Sequence, residues 1–254
     1  LLPGLLWAAQ RNINRGFQDV ALFELGQAYR DDTDRGQLLL AAGVRFKTAG
    51  MMGAGRHWAG AAELVGPFDV KADAAAVLSA LGVDISRAQI SRDAPAWFHP
   101  GRSGTLRLGP HIVLAHFGEV HPATLKLLEV DGPAMAFEIN LSALPATKRK
   151  VRDTTPLTAN DLLPLRRDFA FVLDQSVPAS DVLKAAFGAD RKLIVEVNVF
   201  DVFDGKGVGE GKKSIAIEVM LQPQVKTLTD AEIESVSAKL VSAVSKSTGG
   251  EIRG

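Results

Sequence analysis

There is no cysteine in the 254 residues. That removes disulfides, thiolate metal ligands and cysteine nucleophiles at once, and it suits a reducing compartment. An excess of charge of either sign is also missing, because 29 Lys and Arg balance 29 Asp and Glu. A nucleic-acid partner therefore leaves no global electrostatic signal, and any such binding must come from local clusters. No apolar run approaches the roughly 20 residues that span a bilayer, and no signal peptide opens the chain. The first residue is leucine, and Leu1-Leu-Pro-Gly reads as the interior of a longer polypeptide. What is present is a 46% hydrophobic composition, enough for one large domain or two of ordinary size.

Catalytic signatures are missing too. The glycine-rich stretch Lys47 to His57 has neither the spacing of a dinucleotide fingerprint nor a terminal Gly-Lys-Ser/Thr. Gly-x-Ser-x-Gly is absent, since Ser103-Gly104 lacks its leading glycine. Asp31-Asp32 lies in a polar connection and reads as solvated. His111, His116, Glu119 and His121 are close in sequence, but on one continuous strand His116 and His121 point to opposite faces. No metal site is expected there.

Periodicity supplies the elements. Leu2, Leu5, Leu6, Ala9 and Ile13 recur at helical spacing, with Pro3 in the first turn and Gly16 placed to end the helix. Val20 to Leu25 reads as a buried strand, 26–36 as a polar connection and Leu38 to Phe46 as a second strand. Val70 to Leu81 reads as a helix with Val70, Ala74, Val77, Leu78 and Leu81 on one face and Gly82 as its cap. Short strands at 89–91, 104–108, 112–117 and 135–141, with a helix at 123–128, complete this part. The segment 148–163 opens on the basic run Lys148-Arg-Lys-Val-Arg152 and has no period, so it is placed as a linker between domains 1–147 and 164–254.

Beyond the linker, Phe169, Phe171 and Leu173 alternate as a strand. Pro178 to Phe187 reads as a helix with Val182, Leu183, Ala186 and Phe187 inward and Gly188 as its stop. A hairpin follows. Leu193, Val195, Val197 and Val199 alternate with Ile194, Glu196, Asn198 and Phe200; Ile215, Ile217, Val219 and Leu221 alternate with Ala216, Glu218, Met220 and Gln222. Between them, glycines at every second position predict a mobile loop carrying Lys206, Lys212 and Lys213. Thr229-Asp-Ala-Glu232 is a capping box, and Ile233, Val236, Leu240 and Val244 stripe the helix it opens. Gly249-Gly250 end that helix, and Glu251 to Arg253 forms a last edge strand. The order β-α-β-β-α-β is a ferredoxin-like split unit with both helices on one sheet face. The open face would show Glu196, Asn198, Phe200, Ala216, Glu218 and Met220.

Four stretches together resemble one family, the C-terminal portion of the β subunit of bacterial phenylalanyl-tRNA synthetase. They are Leu1-Leu-Pro-Gly-Leu-Leu with Arg11-Asn-Ile-Asn-Arg15; Trp97-Phe-His-Pro-Gly-Arg-Ser103 with Gly118-Glu-Val-His-Pro122; Pro164-Leu-Arg-Arg-Asp168; and Gly211-Lys-Lys-Ser214 with Thr227-Leu-Thr-Asp230. Their order and separation carry the resemblance over nearly the whole chain. In that family an editing module and an RNA-binding-like domain would lie upstream.

The resemblance implies an α+β chain: an antiparallel class II synthetase-like sheet with helices, followed by a ferredoxin-like βαββαβ anticodon-binding domain. It implies an α subunit partner, a phenylalanine tRNA, ATP and magnesium used by the whole α2β2 enzyme, and a cytoplasmic location, with no membrane or DNA partner. No cofactor is expected in this chain and no catalytic residue. Leu22-Phe-Glu-Leu-Gly26 lacks the family's Arg-x-Glu, and no Gly-x-Gly-x-x-x-Arg precedes a helix, so the arginines that would steady the transition-state phosphate are missing. Candidate RNA-binding residues are Arg166, Arg167, Phe200, Lys206, Lys212, Lys213 and Arg253. Candidate subunit-interface residues are Arg11, Arg15, Trp97, His99 and Arg102. The rival reading is a free-standing ferredoxin-like module that binds an effector or a protein through its open face.

Overall fold

The computed structural model describes residues 1–17, 19–48, 56–58, 60–61, 63–144 and 160–253. The chain divides into two compact units, Leu1–Asp153 and Thr154–Gly254. The basic run Lys148 to Arg152, the rest of the segment up to 159, and positions 49–55 of the glycine-rich stretch lie outside the described residues.

In the first unit, α1 (Leu2–Asn14) buries Leu2, Leu5, Leu6 and Ala9, and the chain leaves it through Gly16 at φ 92°. Then come β1 (Ala21–Tyr29), β2 (Gln37–Phe46), a minimal hairpin of β3 (Arg56–His57) and β4 (Gly60–Ala61), α2 (Pro67–Ala80), β5 (Gln89–Ser91), β6 (Phe98–Leu108), β7 (Ile112–Val120), α3 (Pro122–Leu127) and β8 (Ala134–Asn140). Six strands form one antiparallel sheet in the order β1-β2-β8-β7-β6-β5. Helix α1 covers one face through Ala42, Val44, Phe46, Ala134 and Ala136. Helix α2 covers the other through Val70, Ala74 and Leu78 against Leu114, Met135, Phe137 and Ile139. Burial on both faces explains why β8 reads as a nearly unbroken apolar run. Gly43 is required beneath Phe137, because a Cβ there would lie 2.4 Å from the ring.

The expected buried strand at Val20 to Leu25 is corrected. It continues to Tyr29 and forms the sheet edge, where Phe23 is 84% and Leu25 62% exposed. Apolar side chains in a short run predict a strand, but not whether a neighbour lies beside it. Leu81, expected on the inner face of α2, is likewise exposed.

The second unit runs β9 (Leu165–Asp174), α4 (Ala179–Ala189), β10 (Ile194–Phe203), β11 (Lys212–Leu221), α5 (Asp230–Thr248) and β12 (Glu251–Ile252), with sheet order β10-β11-β9-β12. This is the split βαββαβ arrangement. Phe171, Leu173, Ile215, Ile217, Val219 and Leu221 meet Val182, Ala186, Val236, Leu240 and Val244 in one core, so both helices share a face. The capping box is complete: Thr229 Oγ1 accepts from Glu232 N–H, and Glu232 Oε2 accepts from Thr229 N–H at 2.9 Å. Gly249 takes the left-handed cap at φ 69°.

Three local expectations change here. Gly188 lies within α4 rather than ending it, and Phe187 is exposed. Lys212 and Lys213 open β11 and are not in the loop. Most consequential, β10 does not alternate evenly. It carries irregularities between Ile194 and Glu196 and between Val199 and Asp201, so Val195 and Phe200 are extra residues in the ladder. Ile194 is buried and Val195 exposed, the reverse of what the spacing predicts.

Candidate nucleic-acid interface

Paired residues on neighbouring antiparallel strands share a face. The buried Ile215, Ile217 and Val219 face the helices, so Ser214, Ala216, Glu218 and Met220 fall on the side away from them. Their partners on β9 are Val172, Ala170, Asp168 and Arg166, and on β10 Phe203, Asp201, Asn198 and Glu196. The middle of this face is floored by two alanines. Arg253 N–H donates to Ala170 O at 2.7 Å, which sets the Arg253 side chain at that floor. Its guanidinium carbon lies over the Phe203 ring, 6.0 Å from the centroid. Phe200 and Asp201 together oppose Ala216 at the second bulge, and Phe200 is 59% exposed.

The charges on this face are mixed. Glu196, Asp201, Glu218 and Asp168 outnumber the basic groups towards one end, where Arg166 Nη1 reaches Glu218 Oε1 at 3.0 Å. Lys212, opposite Asp174, stands at the other end. The Ser176 hydroxyl and N–H hold the Asp174 carboxyl below its usual range, and Lys213 and Lys212 add to that. Lys213 Nζ donates to Gln175 O at 2.9 Å. Lys206 lies exposed in the turn between β10 and β11.

The structure therefore brings Arg166, Phe200, Arg253 and Lys212 to one face, with Lys206 in the turn beyond it. Arg167, opposite Val219, belongs to the helix side instead. Phe203 was not singled out by the sequence, although it is the ring that Arg253 covers. The missed signal is the second bulge, which returns Phe203 to this face.

The candidate interface residues of the first unit form two groups. Phe98 pairs with Val120 and Ser103 with Gly118, so residues 99–102 bow out of the ladder. Gly101 N–H donates to His99 Nδ1 at 3.1 Å, and Ala123 N–H to His121 Nδ1 at 3.0 Å, leaving the two imidazoles stacked with centroids 6.2 Å apart. Arg102 grips Glu119 with both nitrogens, Nη2 lying 2.7 Å from Oε1, and this bond holds the Glu119 carboxyl below its usual range. Gly118, at φ 138°, allows the close crossing, because a Cβ would lie 2.4 Å from Arg102 O. Trp97 Nε1 donates to Glu138 Oε2 at 3.2 Å, while burial pushes the Glu138 carboxyl up. Arg11 and Arg15 stand exposed near the end of α1, apart from this cluster in sequence. Among the described residues no three His, Asp or Glu side chains gather as a metal site.

Residues 1–141 match the family model of the phenylalanyl tRNA synthetase beta chain CLM domain, and residues 163–253 match the ferredoxin-fold anticodon binding domain. Phenylalanine–tRNA ligase beta subunits are similar over the whole chain: that of Brucella abortus (strain 2308) is 54% identical over 255 residues and that of Bradyrhizobium diazoefficiens 51% identical over 254. The Bartonella henselae protein is 52% identical over 254 residues. These alignments cover 100% of this chain and 32% of each relative, so the chain spans about a third of the length of the curated relatives it matches. Among solved structures, a pyrrolysyl tRNA synthetase from Desulfitobacterium hafniense covers 56% of this chain and 46% of its own, at 15% identity and a TM-score of 0.39, too slight a likeness to argue from.

Proposed function

This chain belongs to the phenylalanyl-tRNA synthetase β-chain family, and on that premise we propose that it serves the ATP- and magnesium-dependent joining of phenylalanine to its tRNA in the cytoplasm without carrying the reacting groups itself. The 164–254 domain receives the unpaired anticodon nucleotides of the tRNA on its open sheet face. The observation that carries this reading is the Arg253 guanidinium set over Phe203 above an alanine floor on that face. A planar cation and exposed rings offer stacking surfaces for splayed bases, and Lys212, Lys206 and Arg166 offer phosphate contacts. Because acids are numerous on the same face, binding is modest and selective rather than driven by bulk charge. The test is a titration with a phenylalanine tRNA transcript and with one whose anticodon loop is closed into a duplex. Preference for the open loop supports the reading; equal binding overturns it.

The 1–147 domain acts as a docking platform for the α subunit, using the turn at Trp97 to Arg102 and the arginines Arg11 and Arg15. Its strand β1 presents Glu24 but no arginine for a phosphate. We expect no phenylalanine-dependent pyrophosphate exchange from this chain alone. Co-purification with the α subunit, followed by aminoacylation, tests the docking role.

A further inference from the structure

The loop between β10 and β11, residues 204–211, carries glycine at every second position, a spacing that predicts mobility. The structure pins it at three points. At its entry the Phe203 ring lies against Gly205, where a Cβ would stand 2.4 Å from the ring. At its exit both backbone groups of Gln175 are engaged: the N–H donates to Gly211 O at 2.9 Å, and the carbonyl accepts from Lys213 Nζ at 2.9 Å. Between these ends Val208 is 5% exposed, although the residues on either side of it stand in solvent. Gly207 at φ 112° and Gly209 at φ 86° flank it. Any other residue would be strained at both, so the glycines let the chain turn one apolar side chain inward and come out again.

Burying a valine from a loop this rich in glycine offsets part of the entropy that ordering those glycines costs. We infer that Val208 is a positioning residue. It holds the loop in one shape and so fixes Lys206, exposed two residues earlier, beside the Phe203 ring that Arg253 covers, a role that rests on the tRNA reading above. Lys206 then meets a phosphate without first being ordered, because that cost is met on folding rather than on binding. Val208 is buried by this chain alone, so its anchoring does not depend on what else covers the unit.

The test begins with the free chain. Backbone nitrogen-15 order parameters at Gly207, Val208 and Gly209 are expected to match those of β10 and β11, and to fall in Val208→Ala. Binding of a phenylalanine tRNA transcript is then measured for Val208→Ala, Lys206→Ala and the double variant. Val208→Ala removes no group from the open face, yet it is expected to weaken binding about threefold, and Lys206→Ala to cost less in that background than in the wild type. Val208→Ile should keep both readouts near wild type. A merely structural valine would lower melting while Lys206→Ala cost the same in either background, and that result overturns the inference. Wild-type order parameters in the loop well below those of the strands overturn it too, whatever the tRNA does. An ordered loop in a chain that binds no tRNA would instead overturn the tRNA reading, and with it the role of Lys206.

Discussion

Arg166 Nη1 lies 3.0 Å from Glu218 Oε1 and 3.2 Å from Oε2, on the sheet face of the second unit opposite the one that α4 and α5 cover. Solvent reaches both side chains, so the pair adds little to stability. It does fix what the face offers a polyanion, because this guanidinium already has an anion. Glu218→Gln should release it. Tighter tRNA binding is expected, with a salt dependence of log K steeper by about 1 in slope. A titration at several salt concentrations checks this, and an unchanged slope would remove Arg166 from the interface.

Phe203 and Phe200 can be separated by alanine. Each ring that stacks a base should cost roughly 1–3 kcal/mol of tRNA binding when removed. Phe203→Leu keeps apolar bulk against Gly205, where a Cβ would lie 2.4 Å from the Phe203 ring. Loss of affinity in both Phe203 variants, with normal melting in the leucine form, is the expected result.

Lys212 and Lys213 are predicted to behave differently despite being neighbours. Lys212→Ala should flatten the tRNA salt slope by about 1 and leave melting unchanged. Lys213→Ala should instead lower stability by about 1 kcal/mol, because Gln175 O loses the ammonium that it accepts from. Thermal melts run beside the titrations distinguish the two.

Gly118→Ala should destabilise the first unit by on the order of 3 kcal/mol. The residue sits at φ 138°, and a Cβ would press on Arg102 O and on Ser103 Cα at 2.5 Å. Chemical denaturation of the variant beside Gly109→Ala, which also places a side chain at positive φ (65°) but has nothing within 4 Å, separates the clash from the cost of the backbone conformation.

Thr229→Ala should cost about 1 kcal/mol by opening the cap of α5. The Thr229 N–H, with Lys226 and the Thr229 hydroxyl, lowers Glu232 from 4.5 to about 2. A carboxyl lowered in the folded state stabilises fully above its unfolded value and loses that effect as pH falls. The stability gap between wild type and Glu232→Gln should therefore be full above pH 4.5 and close as the pH approaches 2.

Much of the second unit was legible because its signals are local. The Thr229–Glu232 box and the stripe Val236, Leu240, Val244 announce α5, and β11 alternates as its residues suggest. What escaped is set by distant partners. Phe23 and Leu25 are apolar enough for a core, yet their exposure depends on there being no strand beside β1 among the described residues. The contacts that define the candidate interface, Arg166 with Glu218 and Arg253 with Phe203, join residues about fifty positions apart, and no periodicity encodes them. Position 203 could be assigned a side only after the slip at position 200 was known.

The two slips in β10 have a further consequence. Ile194 and Val202 pair with residues whose side chains point to the helices, and so do Val197 and Val199 between them, so even-numbered, odd-numbered and again even-numbered positions take the same side in turn. Deleting Val195 or Phe200 would remove a bulge and leave the other residues on their present sides, whereas closing the second bulge with Phe200 kept in the ladder would invert everything downstream of it. Phe203 would turn under the helices and Val202 would take its place in the open. The two bulges are therefore determinants of surface chemistry, and a change that straightens one without altering the strand's length should alter what the open face displays.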